Sequence, residues 1–372
     1  MLLEYLENNK ESVLDTLRAL CKIPAPSHME DERAAYCKAW LEKRGAEGVY
    51  IDEAKNVIFP INCEGKNEIC VFVAHTDTVF PDTEPLPLKE DEENIYSPGV
   101  GDDTACLSVL LHTAKYFVEK NIKPEIGVLF VCNSCEEGLG NLKGTRQIFK
   151  DFEGRIGRFI SFDGQLGRIA DACAGSHRYK VEVRTEGGHS YWDFGNANAI
   201  HRLSEMVSEI YKIRVPEMAG EKTTYNVGGV SGGTSVNTVA QSAQMLCEYR
   251  SSHKDCLAAM ETEFARIFKA ASEEAEVIVE KIGDRPCSDI DDAEIEVLRR
   301  IIAPISEAVM GEPPVYYPSS TDCNIPLSMG IPAICIGAYE GGGAHTREEW
   351  VNKASLEKGL DFAIRVTMAL TA

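Results

Sequence analysis

The chain has 372 residues, too many for one ordinary core and about right for two domains. Hydrophobic residues make up 44% of it, which excludes a disordered chain, and a formal charge of −21 excludes the basic footprint that nucleic acid or an acidic membrane requires. The longest apolar runs, such as Val71–Ala74 and Gly127–Cys132, fall far short of a membrane-spanning helix.

The opening stretch MLLEYLENNKESVLD turns acidic at Glu4 and lacks the basic-then-apolar pattern of a signal peptide, so a cytoplasmic location is expected. Through the first half, strand-like runs alternate with helix-like ones, the pattern of an α/β domain with a mostly parallel central sheet. Glu68–His75 reads as a strand, Thr104–Val118 as a helix, and Glu125–Cys132 and Arg158–Phe162 as further strands. From about Ser176 the pattern changes. His177–Thr185 and Ala243–Arg250 alternate apolar with polar, Ala197–Ile213 and His253–Ala271 are helical, and Ala275–Lys281 closes with a strand. That is a self-contained α+β unit of one small domain's length. After Pro286 the α/β pattern resumes with a helix at Ile295–Ile305 and a strand at Ala333–Gly337. Leu356, Leu360, Ile364 and Met368 then repeat on a final helix. The expected division is 1–175 and 284–372 for the α/β domain, interrupted by an insertion at 176–283.

Thirteen cysteines are an odd number, and Cys70, Cys106, Cys132, Cys247 and Cys335 sit inside apolar patterns. A buried reduced thiol behaves as a small hydrophobe, so packing is their expected role. Cys132 and Cys135 form a CxxC with no second pair nearby, which does not make a zinc or redox motif.

Five segments place acids or histidines just after a strand, and in open α/β sheets that edge is where ligands bind. VFVAHTDTV carries His75 and Asp77. A strand-end histidine can bind metal through one ring nitrogen while an aspartate accepts the other N–H; a turn is the plain alternative. SPGVGDDTACLSVLL delivers Asp102 and Asp103 to the start of a helix, where capping alone would also favour them. VLFVCNSCEEGLG puts Glu136 and Glu137 after a strand, FISFDGQLG ends a strand at Asp163, and GGGAHTREEWV carries His345 after three glycines. Each motif alone also suits a solvated turn. The order of all five does not.

In that order the chain resembles the co-catalytic metallopeptidase family of peptidase T, acetylornithine deacetylase, succinyl-diaminopimelate desuccinylase and aminoacylase. HTDT, GVGDD, SCEEGLG, SFDG and AHTREEW carry the resemblance, which spans nearly the whole chain. It implies a zinc-peptidase-like catalytic domain interrupted by a lid or dimerisation domain, and two zinc ions, with cobalt and manganese fitting the same ligands. One metal would be held by His75, Asp102 and Asp163, the other by Asp102, Glu137 and His345, with Asp102 bridging. Glu136 would be the general acid/base and Asp77 the partner that orients His75. Three ligand carboxylates against four positive charges would leave the pair slightly positive, which favours hydroxide over water.

The resemblance extends into the insertion. TEGGHSYWDFGNANAI is similar to a lid segment whose histidine, here His189, stabilises the oxyanion, and in dimeric relatives that histidine comes from the partner subunit. GGTSVNTVAQSAQMLCEYR is similar to a substrate-gripping segment, giving Asn237 and Arg250. A planar guanidinium suits a carboxylate at two points. The chain departs from the family at Thr104-Ala105-Cys106, where Lys and Gly are frequent, and at Trp192-Asp193-Phe194, where a proline is frequent. Those changes leave the ligand set complete and bear on substrate. Asp rather than Glu at 163 resembles the aminopeptidase and dipeptidase branch. The leading expectation is therefore a peptidase T-like enzyme for small peptides; the runner-up is a deacylase or desuccinylase of N-acyl amino acids, and a homodimer through the insertion is possible. A catalytically silent metal- or peptide-binding scaffold is the reading of a different class, disfavoured because every catalytic position is filled.

Overall fold

A computed structural model describes residues 2–372 of the chain. The run Ile69–His75 (ICVFVAH) is rich in β-branched and aromatic side chains and is buried along its whole length, as expected of a central strand covered on both faces. Its alternate residues serve two cores. Cys70, Phe72 and Ala74 pack with residues of the helices Leu2–Cys21, Cys106–Glu119 and Ser355–Thr371. Ile69, Val71 and Val73 face the opposite side, with Leu142, Ile148 and Phe149 around the helix Lys143–Asp151.

The chain divides into two compact units, one running to Cys173 and resuming at Asp289–Ala372, the other formed by Ala174–Ser288. The larger unit is built on an eight-stranded sheet in the order Tyr50–Ile51, Val57–Ile61, Gly127–Asn133, Ile69–His75, Ile156–Phe162, Ala333–Ile336, Arg168–Cys173, Val315–Ser319. Its four central strands, Gly127–Asn133 to Ala333–Ile336, run parallel, and both outer regions include antiparallel pairs. Parallel pairing brings the C-terminal ends of the central strands to one edge, so His75 and Asn133 lie side by side in register there. The final helix departs from the four-residue stripe read in the sequence. Leu356, Leu360 and Ile364 are buried, but Met368 is 37% exposed, and Ala363, Val366 and Leu370 complete the packed face. A helix follows a 3.6-residue period, so a strict repeat of four drifts off its core face.

The smaller unit is an antiparallel four-stranded sheet in the order Thr223–Gly232, Ser242–Ser251, Gly175–Arg184, Glu276–Arg285. Val181, Val183, Met245 and Tyr249 on one face pack with Leu203 and Met206 of the helix Ala199–Ile210 and with Met260 and Phe264 of the helix Lys254–Ala271. The last strand runs to Arg285, past the alternation read in the sequence, because a bulge between Lys281 and Gly283 shifts its register. All thirteen cysteines are buried, and none is in a disulfide. Among the described residues, no helix is long and apolar enough to cross a membrane.

Candidate metal centre

His75 ends its strand, and its backbone N–H donates to Asp103 Oδ2 at 2.9 Å. Its Nδ1 lies 3.0 Å from the backbone oxygen of Asp77 and 3.4 Å from that residue's Oδ1. With Nδ1–H donating there, Nε2 faces Asp102 Oδ1 at 3.2 Å, where a proton or a metal ion can bridge the two. The nearer acceptor for the ring is thus the carbonyl of Asp77, not its carboxylate. That carboxylate instead accepts from Ser27 Oγ at 2.6 Å, Glu136 N at 3.0 Å and Glu137 N at 2.9 Å. Asp77 therefore joins the histidine ring to the turn that bears both glutamates.

Asp102 stands between two imidazoles, with Oδ2 3.0 Å from His345 Nε2. His345 is also 3.3 Å from Glu137 Oε1, a buried oxygen that makes no well-directed hydrogen bond. Asp163 follows the strand Ile156–Phe162, and its N–H donates to Ile336 O at 2.9 Å. The donor atoms of His75, Asp102 and Asp163 lie within 4.8 Å of one another; so do those of Asp102, Glu137 and His345, and those of His75, Glu136 and Glu137.

Crowding these acids has an electrostatic cost. Burial, then the charge of Asp102, pushes Asp163 well above the usual carboxylate range. Burial also raises Glu137, to about 7. Hydrogen bonds to Asp102 and Glu137 raise His345 to about 10. Burial opposes ionisation of Asp102, but His345 and His75 outweigh it and hold the group low. Two divalent cations fit this donor set: Asp102 belongs to two triads, Glu137 Oε1 lacks a directed partner, and positive charge removes the conflict among the carboxyls.

Several residues here were not foreseen in the sequence. Glu349 accepts three backbone N–H groups of the Gly99–Asp102 turn, and Asp103 holds the backbone of His75. Glu30 accepts from His28 N and from both N and Sγ of Cys135, bracing the residue before Glu136. Asp322, fully buried, accepts from Asn133 Nδ2 at 2.7 Å and Thr145 Oγ1 at 2.5 Å. Asp103 and Glu349 lay within quoted motifs, Asp103 read there as a helix cap and Glu349 four residues after His345, whereas Glu30 and Asp322 lay in none.

In the smaller unit, Gly188–His189 pairs with Thr238–Val239, and Ser190 N donates to Asn237 O at 3.0 Å, so His189 and Asn237 are neighbours. His189 Nδ1 accepts from Tyr191 N at 3.2 Å and Trp192 N at 3.4 Å, which leaves Nε2–H as an outward donor on an exposed side chain. Arg250 is not brought to this pair. It lies at the far end of the strand that starts at Ser242, roughly 25 Å along it, opposite Ser176. Its guanidinium pairs with both carboxylate oxygens of Glu248, at 2.9 and 3.0 Å.

An α/β sheet whose C-terminal edge gathers two imidazoles, three carboxylates and a further glutamate defines the class of metal-dependent hydrolases. The chain belongs to Peptidase family M20/M25/M40, whose profile matches residues 71–369. It is a hydrolase that acts on peptide or amide bonds. It is 24% identical over 338 residues to a succinyl-diaminopimelate desuccinylase of Corynebacterium glutamicum, covering 89% of each chain. Its fold is shared with a tripeptidase of Staphylococcus aureus subsp. aureus mu50 (TM-score 0.75, 22% identity, 96% and 97% of the two chains). It is shared also with the Bacillus subtilis YXEP protein, a dinuclear metal binding peptidase (TM-score 0.66, 15% identity, 98% and 100%).

Proposed function

We propose that the protein is a two-zinc aminopeptidase or tripeptidase for small peptides, resembling peptidase T and working in the cytoplasm. The observation that carries this reading is the sharing of Asp102 between two triads, with Glu136 beside them. His75, Asp102 and Asp163 would hold one ion, and Asp102, Glu137 and His345 the other; cobalt and manganese suit the same donors. Bound there, the ions would supply positive charge to polarise the scissile carbonyl and acidify the attacking water. Glu136 takes the proton of that water and returns it to the leaving nitrogen, a transfer worth roughly 10²–10⁴ in rate. Its backbone, tied to Asp77, keeps the carboxylate in place. His189, a donor at Nε2, stabilises the oxyanion with Asn237 beside it. Arg250, too far from that pair to share a small substrate with it in one chain, exchanges Glu248 for the carboxylate of a substrate whose oxyanion is held by His189 of the partner subunit. A homodimer through Ala174–Ser288 would let His189 serve its partner. Thirteen buried thiols outside any disulfide accord with a reducing compartment.

A desuccinylase or other deacylase of N-acyl amino acids is the second reading, favoured by the desuccinylase relative that matches most of the chain. Aspartate at 163 favours the peptidase. Zinc-loaded protein should be assayed on di- and tripeptides and on N-acetyl and N-succinyl amino acids. Faster turnover of peptides is expected. Preference for the acyl amino acids would move the assignment to the deacylase, and turnover of neither would leave only a silent scaffold.

A further inference from the structure

Glu349 belongs to none of the three triads, and yet it is 1% exposed. Its Oε1 accepts the N–H of Gly101 at 2.8 Å and of Asp102 at 2.7 Å, and its Oε2 accepts that of Gly99 at 2.8 Å. Its own carbonyl accepts from Ser97 N at 3.1 Å. One side chain therefore fastens the turn from which Asp102 projects. The turn also has little room to move: a Cβ on Gly101 would come within 2.6 Å of the Tyr339 ring, and Gly99, at φ +71°, takes a conformation that few other residues adopt. Glu349 follows His345 by four residues, so the same grip ties the His345 loop to the Asp102 turn. Those are two of the three residues of one triad.

We propose that Glu349 is a positioning residue that fixes the Asp102 carboxylate and the His345 loop at the spacing a cation needs. This rests on the reading of both residues as metal ligands. A carboxylate has four lone-pair sites for three N–H donors, whereas a glutamine has one oxygen and an NH₂ group that repels a facing donor. Glu349→Gln is nearly isosteric, yet it leaves at least one buried amide of the turn without a partner.

The test uses the full chain, stripped of metal and titrated with zinc against a chromogenic chelator, with thermal midpoints read with and without zinc. Glu349→Gln should bind zinc roughly ten- to hundredfold more weakly than wild type. Its midpoint should rise less on adding zinc, while its metal-free midpoint falls by no more than the few degrees that an unpaired buried amide costs. Glu348→Gln, on the exposed neighbour, should match wild type in both readouts. A Glu349→Gln protein that melts lower but binds zinc as wild type does would show that Glu349 supports the fold alone, and overturn the proposal. If wild type itself binds no zinc, the metal reading fails, and this role falls with it. Should Glu349→Gln not fold, Glu349→Asp, which keeps both oxygens on a shorter arm, decides the matter by the same two readouts.

Discussion

Glu136 differs from its neighbour Glu137 in what surrounds it, although the two are adjacent and both are buried. Glu137 shares a triad with Asp102 and His345, while Glu136 joins only the group with His75 and Glu137. A base that moves protons without being a principal ligand can lose its charge and leave metal in place. Glu136→Gln should therefore keep two metals and the fold, and lose roughly 3–5 kcal/mol of transition-state stabilisation. Metal analysis and kinetics on one preparation check it, and near-normal turnover would sink the assignment. At this scale the sequence was informative wherever a functional side chain ends a strand. His75, Glu136, Glu137 and Asp163 stand close to legible apolar runs, so short motifs marked them. Glu349 and Asp103 act on backbone amides brought near by folding, Glu349 across about 250 positions of chain. Such an acceptor has no local pattern, because any turn with free N–H groups will do.

The strands of the smaller unit were unequally legible for a related reason. Gly175–Arg184 and Ser242–Ser251 alternate cleanly between core and surface. Thr223–Gly232 carries Gly228, Gly229 and Gly232 and a register shift between Val227 and Gly229, so no alternation announced it. The helix Asp31–Glu42 was missed because its buried Arg33 interrupts the apolar stripe; that guanidinium donates to the carbonyls of Leu20, Ile23 and Thr76. The strand Ser242–Ser251 also separates two roles that its sequence motif ran together, Asn237 before one end and Arg250 near the other. In its present pairing Arg250 is neutralised by Glu248 on the same strand. A substrate carboxylate must displace that partner, and a two-point contact partly shielded from water is worth about 1.5–3 kcal/mol. Arg250→Met should lower kcat/KM roughly ten- to hundredfold for peptides with a free C-terminal carboxylate, with little further effect on amidated ones. Equal losses on both would show that Arg250 serves the sheet and not the substrate.

The larger unit's stability should carry a pH signature that is independent of the metal centre. His112, fully buried in the helix Cys106–Glu119, lies 3.0 Å by Nε2 from Thr16 Oγ1, which also accepts from Trp40 Nε1 and donates to Ser12 O. Thr16 has its proton committed, so His112 must donate from Nε2 and stays neutral, joining three helices. Burial, then Lys115 and Arg44, lowers its pKa to about 3. Below the unfolded value near 6.5, the unfolded chain binds a proton that the folded chain refuses, and stability falls with pH by about 1.4 kcal/mol per unit until the folded pKa is reached. Above about 6.5 this loss is absent. His112→Gln removes that titration, so the stability advantage of wild type over the variant should shrink by about 1–2 kcal/mol between pH 7 and pH 5. Denaturant midpoints at several pH values measure it, and parallel curves would refute it.

Assembly is the remaining question at the scale of the whole molecule, and it decides where His189 acts. The histidine is exposed, and the adjoining Tyr191, Trp192 and Phe194 are 74%, 78% and 90% exposed, an unusual apolar display for a surface loop. His189→Ala should lower kcat strongly and leave metal content unchanged, as a transition-state contact does. If a partner subunit supplies this histidine, the variant should complement Glu136→Gln. A mixed dimer would then hold one site with an intact Glu136 from one chain and an intact His189 from the other. Equal mixing of the two inactive proteins, with free subunit exchange in a two-fold dimer, should return about a quarter of wild-type activity. The measurement is turnover against time after mixing, with each variant alone as the baseline. Recovery at the rate of subunit exchange would assign His189 to the partner's site. No recovery, in a preparation whose sedimentation shows that mixed dimers form, would assign it to its own chain.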